Sequence, residues 1–272
     1  MDLNAEFLQS LTHAFLSEQQ DVRARAHAAL LSLAGRDPDL LLNCAAHAFS
    51  NAELPPSTRA LSATFLGGML LPRDQENRPS IWPRLSAASK TAVKDACLKQ
   101  LIDADAGVMR AAASLVAVVF ALDCLSDNAW EQLLPGLTLN VENSDVRIQK
   151  AAITSLGNIC ALLNKHKISE LRESRVDLLL TGICKGLQSY NELTETAVQA
   201  LDDSLQFLRR KLDHDAIADF VMNLLVGILQ KAQWAREGVE AERKLLYCLA
   251  KIAKLIAPRL SKYHQVLFDA VL

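Results

Sequence analysis

The side chains with which this chain could do metal, redox or nucleophilic chemistry are six cysteines and six histidines. Metal and thiol redox centres need CxxC or Cys/His pairs at ligand spacing. Cys44, Cys97, Cys124, Cys160, Cys184 and Cys248 stand far apart without such partners. Each falls in an apolar helical stretch, where a thiol in a reducing compartment packs as a small hydrophobe. His13, His27, His47, His166, His214 and His264 cluster neither with one another nor with a candidate nucleophile. Phosphate-cradling glycine loops, HExxH and GxSxG are absent from the sequence. No catalytic residue, metal ligand or cofactor site is assigned, and the chain is expected not to be an enzyme.

The elements that would carry a function are helices. Leu and Ala dominate the 272 residues, Gly numbers 10, aromatics make up 5%, and alternating β-branched runs are missing. That composition predicts an all-α protein. A net charge of −2 supplies no global basic field, so neither nucleic acid nor an anionic membrane is an expected partner. The N-terminal MDLNAEFLQ lacks the basic segment of a signal peptide, and the apolar run Ala111 to Leu122 falls short of the ~20 residues of a membrane span. An intracellular soluble protein is expected.

Asn143 to Leu163 shows the architecture in miniature. Val146, Ile153, Leu156, Cys160 and Leu163 form one apolar stripe at helical spacing, and Ile148, Ala152 and Ile159 form a second beside it. A helix with two stripes wants partners on two sides, as in a row of similar helices. Asn143 and Ser144 read as its N-cap. Comparable signals predict helices over Asn4–Leu16, Asp21–Ala34, Asp39–Ser50, a Ser57-capped helix to Leu71, then Leu85–Leu101, Gly107–Leu122, Asp127–Leu139, Ser174–Leu187, Glu192–Leu212, Asp213–Gln230 and Val239–Ala257. Pro135 is expected to kink its helix, and Gly67-Gly68 marks either a close neighbour or early fraying. Trp82, in the proline-rich loop Pro72 to Pro83, reads as a plug over the adjacent core or as a ligand contact, the plug being the commoner case. Lys165-His166-Lys167 suits the negative end of the preceding helix. Another apolar helix opens at Tyr263 and stops in mid-pattern at Leu272, so a longer parent chain is expected.

Second helices of successive pairs begin every ~35 to 50 residues, the irregular period of HEAT solenoids. Asp21-Val22-Arg23 recurs as Asp145-Val146-Arg147, at positions where such arrays stitch neighbouring repeats. The predicted fold is an α-solenoid, a superhelix of about six HEAT repeats, each an antiparallel helix pair. The repeats are set at 4–35, 37–71, 85–123, 127–164, 174–212 and 213–257, with a seventh starting at 261–272; all of 1–272 forms a single array.

ENRPSIWPRLSAASKTAVKDACLKQL, NAWEQLLPGLTLNV, AITSLGNIC, LLTGICKGL, ALDDSLQFL and DFVMNLLVGILQ together resemble the N-terminal portion of importin-β (karyopherin-β) nuclear transport receptors. The resemblance implies a carrier of protein cargo into the nucleus, working in the cytoplasm, the nucleus and the nuclear pore. It implies a Ran-type GTPase in its GTP form bound by second helices of the early repeats, and phenylalanine-glycine (FG) nucleoporins bound by first helices of the fifth and sixth. Importin-α or cargo would bind a C-terminal part beyond this chain. The nucleoporin pocket of the family falls on Leu180, Thr181 and Cys184 of one helix and on Ile217, Phe220 and Val221 of another. At Ile217 relatives can carry an acid, and at Cys184 a larger aliphatic is usual. The GTPase segment reads Leu66-Gly67-Gly68 in place of a Leu-Lys-Asn run, which leaves Arg73 as its basic candidate.

The residues themselves leave two readings open. Val176, Leu179, Leu180, Ile183 and Leu187 make a core stripe that Thr181 and Cys184 widen, and Ile217, Phe220, Val221, Leu224 and Ile228 make another. Adjacent wide stripes can form a groove for a phenylalanine ring, or can simply be core. Arg73 can contact a GTPase or be a solvated loop charge. A HEAT scaffold or adaptor of another complex, without nucleoporin or GTPase binding, is the alternative function.

Overall fold

In the computed structural model, residues 7, 10–11, 17–71, 80–124, 130–166, 171–188, 193–232, 239–257 and 263 are described. Among them the regular structure is helical throughout, with no strand. The chain divides into two units, Met1–Ala129 and Trp130–Leu272. The first holds α1 (Gln20–Arg36), α2 (Pro38–Ser50), α3 (Pro56–Leu70), a 3-10 turn (Trp82–Arg84), α4 (Ala87–Gln100) and α5 (Ala106–Cys124). The second holds α6 (Leu133–Asn140), α7 (Val146–Lys165), α8 (Glu173–Gln188), α9 (Thr194–Lys211), α10 (Asp215–Ala232) and α11 (Val239–Leu255). The all-helical expectation holds. Of the expected Asn4–Leu16 helix, Phe7, Ser10 and Leu11 are described and helical.

Each unit is built by one rule. A helix packs on its hairpin mate and on its counterpart two helices along: α2 on α4 and α3 on α5 in the first unit, α6 on α8, α8 on α10, α7 on α9 and α9 on α11 in the second. That is why α7 carries two stripes, with Ile153, Leu156, Ile159, Cys160 and Leu163 all buried. Stacking of this kind extends one core from pair to pair. α5 is apolar enough in length and composition to cross a bilayer, but Val108, Ala112, Val116, Val119 and Phe120 are buried and it packs on α3 and α4. It is a core helix.

Local chemistry moved several expected boundaries. The N-cap of α7 is Asp145, whose carboxylate accepts from the Arg147 N–H at 2.8 Å; Asn143 acts one step earlier, accepting from the Asp145 N–H at 2.9 Å. Ser57 caps nothing, because α3 starts at Pro56 behind Pro55, where fixed φ and a missing donor suit a first turn. Pro135 introduces no kink: α6 begins at Leu133, so the proline falls in the first turn, where its absent N–H has no intrahelical partner to lose. α3 runs through Gly67 and Gly68 to Leu70, and a Cβ at either would meet nothing closer than 4.0 Å, so neither crowding nor early fraying accounts for the pair.

Stitching between pairs uses residues other than the repeated Asp-Val-Arg. Asp145 and Arg147 pair with each other at 2.7 Å, Asp21 pairs with Arg25, and Arg23 donates to the Ser17 carbonyl. The links that do cross from pair to pair span 39 to 49 residues of sequence. Arg59 binds Asp103 at 2.5 Å, Glu142 binds Lys185 at 2.5 Å, Glu195 binds Lys244 at 2.7 Å and Asp202 binds Lys251 at 2.6 Å. The Asn164 amide donates to the Asp203 carbonyl at 2.6 Å. Steric fit sets the spacing too. A Cβ on Gly182 of α8 would stand 2.6 Å from Leu156 Cδ1, and one on Gly157 of α7 would stand 3.0 Å from both Cα and Cβ of Ala200 on α9. Gly157 lets the backbones of α7 and α9 approach closely, and Gly182 leaves room for the Leu156 and Thr138 side chains.

Candidate binding groove

α8 and α10 are counterparts in successive pairs and pack against each other, and α9 packs on α8. The α8 stripe behaves as its spacing predicts: Val176, Leu179, Leu180, Ile183 and Leu187 are buried. The α10 stripe does not. Ala218, Val221, Met222, Leu225, Val226 and Ile228 face the core, and this rotation leaves Ile217 and Leu224 half-buried and Phe220 45% exposed.

All six residues singled out by the resemblance meet in one place. Leu180, Thr181 and Cys184 of α8 and Ile217, Phe220 and Val221 of α10 line a single groove of about 410 Å³, closed behind by the buried Leu208 of α9. Its apolar wall is bounded by Asp177, Lys185, Gln188 and Lys211. Lys211 is held between Glu173 at 2.6 Å and Asp177 at 2.8 Å, and those hydrogen bonds and charges raise its pKa. The ammonium therefore stays charged, and its two partners keep it tied down beside the groove. Burial pushes the Cys184 thiol up to about 11, so it lines the groove as a neutral, polarisable surface. The arrangement can take an aromatic or aliphatic side chain and offers polar groups only at its margin.

The remaining sequence candidates fall elsewhere. Arg73 lies outside the described residues. Trp82 is a plug, 2% exposed, with its indole N–H donating to Asp123 at 3.1 Å while Lys94 holds the other carboxylate oxygen at 2.5 Å. Cys44, Cys97, Cys160 and Cys248 are buried, Cys124 and Cys184 are partly exposed, and all six are free thiols. Burial alone pushes Cys97 far above the ordinary thiol range. Among the described residues no group of three or more His, Cys, Asp or Glu side chains could hold a metal ion.

Serial antiparallel hairpins, packed first helix on first and second on second, define an all-α chain of the HEAT-solenoid class. No protein-family model matches it. Its curated relatives are importin subunit beta-1 of Arabidopsis thaliana, 23% identical over 246 residues, and that of Schizosaccharomyces pombe, 24% identical over 249. Each alignment covers 88% of this chain but only 26% and 28% of the relative, so the chain spans about a quarter of their length. Among solved structures, Kap95p with RanGDP superposes with a TM-score of 0.82 at 22% identity, covering 98% of this chain and 30% of that one. Kap95 in complex with Nup1 gives 0.79 at 21% identity, again covering 98% of this chain and 31% of that one. The resemblance to importin-β carried by the sequence motifs is borne out, and the structural likeness extends the shared fold over nearly the whole chain.

Proposed function

We propose that this chain is part of an importin-β-type nuclear transport receptor, acting by binding and without catalysis between cytoplasm and nucleus and at the pore. The observation that carries this reading is the groove between α8 and α10, where six residues from two separate helices form one apolar slot around a half-exposed Phe220. The slot takes the phenylalanine ring of an FG nucleoporin. Burying such a ring contributes ~1.5–3 kcal/mol, so one site binds weakly and many repeats bind by avidity. Kap95 relatives with the same fold form complexes with Nup1 and with RanGDP, which supports both partner classes. In the same reading the helix pairs are repeat units of one array, and cargo or importin-α is bound by sequence beyond this chain.

Retention on an FG-repeat resin tests the groove. Wild-type chain is retained, and Phe220→Ala, which removes one wall, is retained several-fold less at unchanged helical circular dichroism. Equal retention of the two proteins rejects the groove, and no retention of either favours a scaffold of another complex. For the GTPase, Arg73→Glu lowers affinity for the GTP form of a Ran-type GTPase in a salt-dependent manner; a wild-type chain that does not bind it removes that half of the proposal.

A further inference from the structure

α9 and α11, second helices of successive pairs, pack together, and their C-terminal turns converge on an open cavity of about 950 Å³. Arg209 and Arg210 reach it from α9, Lys251 and Lys254 from α11, and Asp213 is the acid among its described lining residues. Basic residues complement the negative end of a helix dipole, which accounts for one or two cations at each terminus. Here the cations divide by task. Lys211, in the same turn, turns away to Glu173 and Asp177. Lys251 holds Asp202 at 2.6 Å and lies 4.2 Å from the centre of the Tyr247 ring. Arg209 and Lys254 are exposed and make no ion pair among the described residues. Beneath them Leu205 and Leu255 are only half-buried, so the cavity has an apolar floor under a positive rim.

We propose that this cavity receives an acidic stretch of a partner protein, with aspartate or glutamate carboxylates on Arg209 and Lys254 and one aliphatic side chain on Leu205 and Leu255. Charge complementarity selects the sign of the partner. The open space of about 950 Å³, with cations and leucines spread over two helices, has room for several side chains of a peptide. Nucleic acid fits less well, because the described lining residues include no aromatic ring, the neighbouring Tyr247 ring is taken up by Lys251, and the whole chain carries −2. Contacts to exposed cations are individually weak and screened by salt, so binding is fast, modest and salt-sensitive. The site is separate from the groove on α8 and α10 and does not depend on that reading.

The test uses the full chain and a fluorescent peptide of about ten residues, long enough to cross the cavity when extended, rich in Glu and Asp around one Leu. Fluorescence anisotropy should report binding that weakens several-fold as salt rises from about 50 to 200 mM. Arg209→Glu combined with Lys254→Glu should weaken it about tenfold or more, while Phe220→Ala leaves it unchanged. If the double variant loses helical circular dichroism, Lys254→Gln alone, at an exposed position, should still weaken binding measurably. The proposal is overturned if wild type ignores the acidic peptide or the charge variants bind as wild type does. It is equally overturned if Phe220→Ala abolishes binding, or if a single-stranded oligonucleotide of equal charge displaces the peptide at lower concentration.

Discussion

Replacing Arg59 with methionine should loosen the first unit far more than a change of charge at its exposed surface. Arg59 is 7% exposed; its guanidinium reaches Asp103 at 2.5 and 3.3 Å and Gln100 Oε1 at 3.1 Å, tying α3 to the end of α4. Methionine keeps most of the volume and removes every donor. Gln100, 2% exposed, then lacks its partner, which costs ~1–3 kcal/mol. Breaking a buried ion pair costs ~3–5 kcal/mol, and less here because water and the Asp105 N–H at 2.8 Å still reach Asp103. Together these give a loss of about 3 kcal/mol. Arg25→Met at the exposed Asp21 pair, with side chains 76% and 71% accessible, should cost under ~0.5 kcal/mol and serves as the control. Native-state hydrogen exchange across α3, α4 and α5 reads the difference locally. Acid provides a second readout. Burial pushes the Asp103 carboxyl up, but the Arg59 hydrogen bond, the Asp105 N–H and the Arg59 charge outweigh it, leaving its pKa lowered. A folded-state value below the unfolded one means stability that is present above the unfolded carboxylate range and lost as pH falls through the folded value. The gap between wild type and Arg59→Met should therefore narrow at acid pH, leaving the part that comes from the unpartnered Gln100. Exchange protection in Arg59→Met equal to that of Arg25→Met at neutral pH would refute the reasoning.

Two further outcomes are expected. Trp82→Phe keeps the plug but removes the indole donor to the buried Asp123, and should lower stability by ~1–2 kcal/mol in urea denaturation, with Lys94 still in place to limit the loss. Asp203 has its pKa raised, chiefly by burial and further by Asp202, against the opposing effects of Gln199 and Lys251. An acid whose folded-state pKa is raised binds more protons when folded, so its contribution favours the fold at low pH and is lost as pH rises through the folded value. Asp203→Asn should accordingly raise the thermal midpoint at neutral pH, and the gain should vanish in acid.

Periodicity made the helices legible, because a buried stripe every 3.6 residues is a local property. It also gave the two-sided burial of α7. The helix starts are less legible: Asn143, Ser144 and Asp145 can all cap by residue type, and the fold decides which carboxylate or amide meets which N–H. Pro135 was read as an interior residue because the apolar pattern continues upstream of Leu133, where the chain makes a turn at Glu131 and Gln132 instead. The ties at 39 to 49 residues are invisible in the sequence, since nothing local distinguishes Asp202 and Lys251 from other surface charges. For the groove, the six residues came from resemblance, and spacing alone favours core over groove, because a wide apolar stripe is more often simply buried. What spacing missed is the rotation of α10, which buries Ala218 and Met222 and turns Phe220 outward. The small Ala218 on an otherwise bulky stripe was the available signal. The basic cavity was missed because its cations are split between α9 and α11, in stretches far apart in sequence.

The glycines at 157 and 182 set different rules for how this chain can diverge. The obstacles facing position 182 are chiefly side-chain atoms, the tip of Leu156 and Thr138 Oγ1, so a methyl gained there can be accommodated by trimming at 156 and 138, and related chains should exchange bulk among these sites in step. At 157 the obstacle includes the main chain of α9, which no substitution can trim. Divergent homologues should therefore hold that position to glycine while the residues around it drift.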